Sequence, residues 1–128
     1  MRLVLAAVLG SLLLAAPALA KSHGEIISGD SLYASAATTP PDKIQALCDK
    51  IIANQTKGKT GMTDAGQLYF QGKLMGKSCV KIDYGKALAL THKAGDTVMF
   101  NSFVRLLRDR AGSNPAAARA LAQFHIAP

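Results

Sequence analysis

The sequence has no tryptophan, few aromatic residues and few acids. Aromatic side chains make up 5% of the 128 residues, and 8 Asp and Glu stand against 15 Lys and Arg, so the formal net charge is +7. A chain of this length allows one small domain and excludes a multidomain enzyme. The excess of positive charge indicates an acidic protein or an anionic envelope polymer as partner, with an ordinary solvated surface as the alternative.

Long apolar runs are also missing, except at the N-terminus. Arg2 precedes an apolar stretch over residues 3–16, and the small-residue sequence Ala18-Leu19-Ala20 follows it. This pattern predicts a cleaved signal peptide at 1–20, with an uncleaved anchor as the alternative. The stretch is shorter than the roughly 20 residues of a membrane span. We therefore expect a periplasmic or secreted protein with no membrane span after cleavage.

Cysteine is scarce, since the chain has only Cys48 and Cys79. Their spacing fits neither a Cys-x-x-Cys redox pair nor a zinc site. An even number of cysteines in a small exported domain predicts a disulfide, which would contribute roughly 3–4 kcal/mol to stability. Two free buried thiols are the alternative.

Apolar spacing predicts helices from residue 42 on, after a flexible N-terminal arm at 21–41 whose Leu32 and Tyr33 would dock on the core. Thr39 is the predicted cap of the first helix, and Gly58 and Gly61 are predicted to end it. The first four predicted helices cover 42–55, about 62–71, 83–95 and 97–110, and a fifth begins at Asn114-Pro115. Gly72 is predicted to end the second helix, and Asp83 is the predicted cap of the third. No segment shows the alternation of a strand. The fold class is therefore all-α, a short solenoid of stacked antiparallel helical hairpins within 42–125.

A short internal sequence similarity favours a repeat. Asp42, Gln45, Ala46 and Leu47 recur 41 positions later as Asp83, Lys86, Ala87 and Leu88. Chance similarity between two capped amphipathic helices is the alternative.

Residues 66–72 are similar to the motif Leu-Gly-x-x-Tyr-x-x-Gly, and residues 80–88 are similar to the motif Gly-Val-x-x-Asp-x-x-Lys-Ala. These motifs are the first helix with its turn and the second helix of the Sel-one-like repeats, which are related to tetratricopeptide repeats. The middle of the chain therefore resembles this family. The resemblance covers one repeat at about 62–96, and the loop between its helices has about five extra residues, which include Cys79.

The resemblance implies helix pairs stacked in a right-handed superhelix, and a role in protein–protein interaction in the bacterial envelope. The residues that it assigns to packing and turning are Gly66, Leu68, Tyr69, Gly72, Asp83, Tyr84, Ala87, Leu88 and Ala94.

Two basic clusters are candidate binding sites. Lys73, Lys77 and Lys81 lie in the loop, and Arg105 and Arg108 lie on the fourth helix. Nucleic acid is not expected, because no recognition helix or aromatic platform accompanies these charges.

Residues for catalysis are sparse. His23, His92 and His125 lie far apart, and no serine stands in a nucleophile motif. We expect neither an enzyme nor a cofactor. If cleavage follows Ala20, the new terminus Lys21-Ser22-His23 is a candidate site for Cu(II) or Ni(II), although we assign no metal role to it.

The leading hypothesis is an exported adaptor or regulator that binds a protein. One alternative is a periplasmic inhibitor or immunity protein that blocks a single envelope enzyme. Another is a cell-wall or penicillin-binding enzyme.

Overall fold

The computed structural model describes residues 31–128, and this part of the chain is mostly helical. The predicted signal peptide and the Lys21-Ser22-His23 site lie outside the described residues. The six α-helices within them are α1 Leu32–Ser35, α2 Ile44–Ala53, α3 Gly58–Gln71, α4 Tyr84–Ala94, α5 Thr97–Arg110 and α6 Pro115–Gln123. Short 3₁₀ turns cover Ala36–Thr38 and Pro41–Lys43, and one small sheet pairs β1 Lys73–Leu74 with β2 Lys77–Ser78. The all-α prediction is confirmed, and none of the helices in 31–128 has the length and apolarity to cross a bilayer.

Helix α3 is the centre of the fold. Its residues 63–68 are all buried, so neighbouring elements surround this middle part on every side. One core cluster joins it to α4, α5 and α6, where the Phe70 and Phe103 rings stack 4.2 Å apart. The second cluster joins it to α1, α2 and β1 through Ile51, Leu68 and Leu74. We call these the C-terminal and the N-terminal halves of the core.

Helices α3 and α4 approach each other closely at Gly66. A Cβ placed there would lie 3.0 Å from the Thr91 Cγ2 and 3.3 Å from the Ala87 carbonyl oxygen. Glycine therefore allows the two backbones to approach where a longer side chain would collide. This helix pair is the segment that resembles the Sel-one-like repeat.

Interactions between residues close in sequence determine where most of the helices begin and end. The Asp83 carboxylate accepts a hydrogen bond from the Lys86 amide at 2.9 Å, and Asn114 accepts from the first turn of α6. Gly72 and Gly95 follow α3 and α4 with φ of 73° and 77°, the left-handed conformation that suits glycine.

The first two helices differ from the prediction. Thr39 does not cap α2, because its hydroxyl donates to the Ser35 carbonyl at 2.8 Å, and a 3₁₀ turn precedes α2. Gly58 and Gly61 do not end α2 either, since α2 ends at Ala53 and both glycines belong to α3. Gly61 fits there because its missing side chain makes room for the Asn54 carbonyl.

The internal sequence similarity between residues 42–47 and 83–88 does not extend to how the two segments pack. Ala87 is fully buried against α3, whereas Ala46 is exposed on α2. Asp83 caps its helix, whereas Asp42 lies in a 3₁₀ turn that has no side-chain cap. The two similar sequences therefore have different structural roles.

The predicted arm is folded from Ser31 on. The Ser31 hydroxyl donates to the Asp64 carboxylate at 2.6 Å, and the Leu32 amide donates to the same carboxylate at 2.9 Å. Leu32 and Tyr33 pack on the N-terminal half of the core. Residues 31–41 are therefore part of the folded unit, because a buried carboxylate on α3 holds them.

Candidate binding surfaces

The predicted disulfide is present. Cys48 on α2 is bonded to Cys79, which directly follows β2. Cys48 is buried in the N-terminal half of the core, whereas Cys79 is only partly buried. The bond therefore ties the predicted basic loop to the helical body.

The basic loop contains a β-hairpin, which the sequence pattern did not predict. Lys73 pairs with Ser78 and Leu74 pairs with Lys77, so two residues, Met75 and Gly76, make the turn. Their φ angles are 50° and 81°, and positive values at both positions are what a type I′ turn requires. Asparagine, aspartate and glycine are the residues that favour such a turn.

Met75 is an unusual residue for this position. A left-handed conformation costs roughly 1–2 kcal/mol for a residue with a side chain. Met75 is 66% exposed and belongs to neither core cluster of the described residues, so packing does not offset this cost. An apolar side chain that is both strained and exposed is a candidate contact residue.

The hairpin has a fixed base and a charged surface. Leu74 is buried, and the amides of Cys79 and Val80 donate to the Gly72 carbonyl at 2.9 and 3.3 Å. The predicted binding residues Lys73, Lys77 and Lys81 are all exposed. We call Lys73–Lys81 the basic hairpin.

The second predicted cluster lies on α5, in the other half of the core. Arg105 is exposed next to Leu106, which is 38% exposed, and Val98, two helical turns earlier on the same helix, is 51% exposed. We call these three residues the α5 surface. Arg108 has a different role, since its Nε donates to the Ala127 carbonyl at 3.1 Å and so holds the C-terminal segment.

A surface pocket of about 280 Å³ lies beside Asp64, lined also by Ile51, Asn54 and Lys57. Burial raises the pKa of the Asp64 carboxyl, and hydrogen bonds from Ser31, Leu32 and Tyr33 act against this shift. The pKa of the Tyr33 hydroxyl is raised too, by burial first and then by the Asp64 charge. Asp64 thus serves as an internal anchor for the N-terminal segment.

A second pocket, of about 350 Å³, lies between the C-terminus of α4 and the start of α5. His92 is exposed at its edge and contacts the rings of Phe100 and Phe124, with centroids 5.6 and 5.9 Å away. Asp96 caps α5 through one carboxylate oxygen, and the other oxygen is buried without a hydrogen-bond partner among residues 31–128. Within this same range no group of three or more His, Cys, Asp or Glu could hold a metal ion.

The predicted packing residues lie around the α3–α4 pair. Gly66, Leu68, Ala87, Leu88 and Ala94 are buried there. Tyr69 and Tyr84 pack on the C-terminal half of the core, where the Tyr84 hydroxyl accepts from Arg110 at 3.2 Å.

Comparison with known proteins finds no match: no protein-family model, no curated sequence and no solved structure matches the chain significantly. The resemblance to the Sel-one-like repeats therefore stays a prediction.

Sequence reasoning missed Met75, Asp64 and the apolar part of the α5 surface. For the turn at Met75 a partial signal was present, because Gly76 suits the second position of a two-residue hairpin turn, whereas methionine is not among the residues that favour the first. Asp64 and Val98 carried no such signal, since the neighbours that bury or expose them come from elsewhere in the chain.

Proposed function

We propose that the protein is an exported adaptor or regulator that binds another protein through the α5 surface. The observation that carries this proposal is that Val98, Arg105 and Leu106 are all exposed on a well-anchored helix. Apolar residues together with arginine are typical of the centres of protein interfaces, where lysine and acids are depleted.

The inner face of α5 supports this role. Met99, Phe103 and Leu107 are buried in the C-terminal half of the core, and Asp96 caps the start of the helix. The outer face is therefore held in one orientation before a partner arrives. Such preorganisation lowers the entropic cost of binding.

Two features support export. The apolar stretch at 3–16 has the pattern of a signal peptide, and a disulfide persists in oxidising compartments such as the periplasm. The α3–α4 pair with Gly66 at its closest approach is the part that would carry a Sel-one-like repeat.

Site-specific photo-crosslinking in exporting bacterial cells tests the proposal. A photoreactive amino acid at Val98 is expected to yield one discrete crosslinked protein. The same amino acid at Ala89, which is exposed on α4, serves as the matched control. An added Arg105→Asp change should lower the yield at Val98. Equal crosslinking from Val98 and Ala89 would contradict a docking role for the α5 surface.

The identity of the crosslinked protein also separates the alternatives. A sensor or assembly factor would favour an adaptor or regulator. An envelope enzyme whose turnover falls when this protein binds would favour the inhibitor or immunity role.

A further inference from the structure

We propose that the basic hairpin attaches the protein reversibly to the surface of an anionic phospholipid bilayer, with Met75 inserted among the headgroups. This function goes beyond the binding of a protein by the α5 surface and uses the opposite half of the core. Predicted export would bring the hairpin next to such a bilayer.

The turn residue is the first argument. Met75 and Gly76 both have positive φ, and asparagine would suit the first position of the turn better than methionine. Met75 is nevertheless a large apolar residue, 66% exposed and outside both core clusters of the described residues. Neither turn chemistry nor packing explains methionine here, whereas insertion into an apolar layer does.

Charge is the second argument. Lys73, Lys77 and Lys81 are all exposed, and no acidic residue occurs between Gly72 and Ile82. Each lysine close to an anionic membrane raises partitioning by about fivefold. Ile82, whose side chain lies beside Gly72 at the base of the hairpin, is 48% exposed and adds a second apolar group.

The shape favours a bilayer over a protein as partner. Residues 75–78 are exposed in succession, and the two pockets described above are lined by other parts of the chain. An exposed two-residue turn can enter a headgroup layer without a complementary cavity on either side. Lysine ammonium groups are point charges without fixed geometry, which suits mobile lipid headgroups. The buried Leu74 and the disulfide hold the hairpin in place, so insertion orders little of it.

Vesicle flotation tests the proposal. The probe is a set of unilamellar vesicles made of equal parts phosphatidylglycerol and phosphatidylcholine, compared with vesicles of phosphatidylcholine alone. The protein is purified in its exported, oxidised form, and mass spectrometry establishes its first residue, so that the apolar stretch at 3–16 does not cause lipid binding. Partitioning is expected on the anionic vesicles only, and it should fall as salt is raised because counterions screen the lysines.

Matched variants assign the binding to the hairpin. Met75→Asn should lower the partition coefficient about tenfold through loss of the buried apolar side chain, while Met75→Leu should keep it. Lys73, Lys77 and Lys81 changed together to serine should lower it by roughly two orders of magnitude. The same change at Lys50, Lys59 and Lys93, which are exposed elsewhere, controls for net charge.

Four outcomes would overturn the proposal. These are no binding to the anionic vesicles at low salt, equal binding to both kinds of vesicle, no loss with Met75→Asn, or equal loss with the two lysine triples. Binding to soluble polyglutamate that Met75→Asn leaves intact, without vesicle binding, would instead indicate an anionic polymer as the partner. Each readout is independent of crosslinking at Val98, so either proposal can fail alone.

Discussion

Single residues explain how the middle of α3, residues 63–68, can be buried on all sides. Gly66 costs helix propensity, roughly 1 kcal/mol relative to alanine, yet it stands where the Thr91 side chain and the Ala87 carbonyl leave little room. Asp64 is a buried carboxyl group on the same helix, and Ser31 and Leu32 donate hydrogen bonds to it. Close approach at one position and a satisfied polar group at another let a single helix serve both halves of the core.

A leucine at Gly66 should therefore destabilise the protein. We expect Gly66→Leu to lower the free energy of unfolding by about 1–3 kcal/mol, because the longer side chain overpacks the contact between α3 and α4. Ala89→Leu, on the exposed face of α4, is the matched control and should change stability little. Urea denaturation measures both, and a Gly66→Leu protein as stable as wild type would refute the close packing.

Asp64 should make stability depend on pH. Burial raises the pKa of its carboxyl in the folded state above the unfolded value. Its contribution to stability is therefore fully present below the unfolded pKa and is lost as pH rises through the folded pKa. The asparagine in the Asp64→Asn protein cannot ionise. The loss of stability relative to wild type should therefore be largest at low pH and shrink as the pH rises through the folded-state pKa of Asp64. Urea denaturation over a series of acidic pH values tests this, and a deficit that grows with pH would contradict it.

The basic hairpin adopts a turn that its first turn residue, Met75, does not favour. Its strands have two residues each, and its conformation depends on the buried Leu74, the Gly72 carbonyl and the disulfide. These anchors allow a methionine at a left-handed position. The helices behave differently, since caps such as Asp83 and stops such as Gly95 agree with the conformation that the chain adopts.

Met75→Asn should consequently preserve or raise stability. Asparagine tolerates the left-handed conformation, so the expected gain is up to about 1 kcal/mol. Gly76→Val provides the contrast and should destabilise, because a β-branched residue would take the φ of 81°. Thermal denaturation of the two variants compares these effects. A clear loss of stability with Met75→Asn would mean that the methionine is a structural residue.

At the scale of the whole molecule, the two halves of the core depend on different constraints. The C-terminal half is a continuous aromatic and aliphatic cluster, in which Phe70 stacks on Phe103. The N-terminal half is assembled from short pieces, and the Cys48–Cys79 bond links two of them.

Removal of the disulfide should therefore destabilise the N-terminal half first. A Cys48→Ser, Cys79→Ser protein is expected to lose roughly 3–4 kcal/mol of stability, since the crosslink restricts the unfolded chain. Hydrogen exchange should increase in α2 and the basic hairpin more than in α5 and α6. A uniform increase along residues 31–128 would show that the two halves unfold as one unit.

The sequence by itself determined the all-α class, the pairing of its two cysteines, and the ends of most helices. The helix ends depend on residues close together in sequence, such as Asp83 with the Lys86 amide or the left-handed glycine at Gly95, so the local sequence contains the information that predicts them. Only the tertiary structure decided the burial of Asp64 under Ser31 and the exposure of Ala46 against the burial of Ala87. Each of these features depends on packing between segments far apart in sequence, and no local pattern records which distant residue will come close.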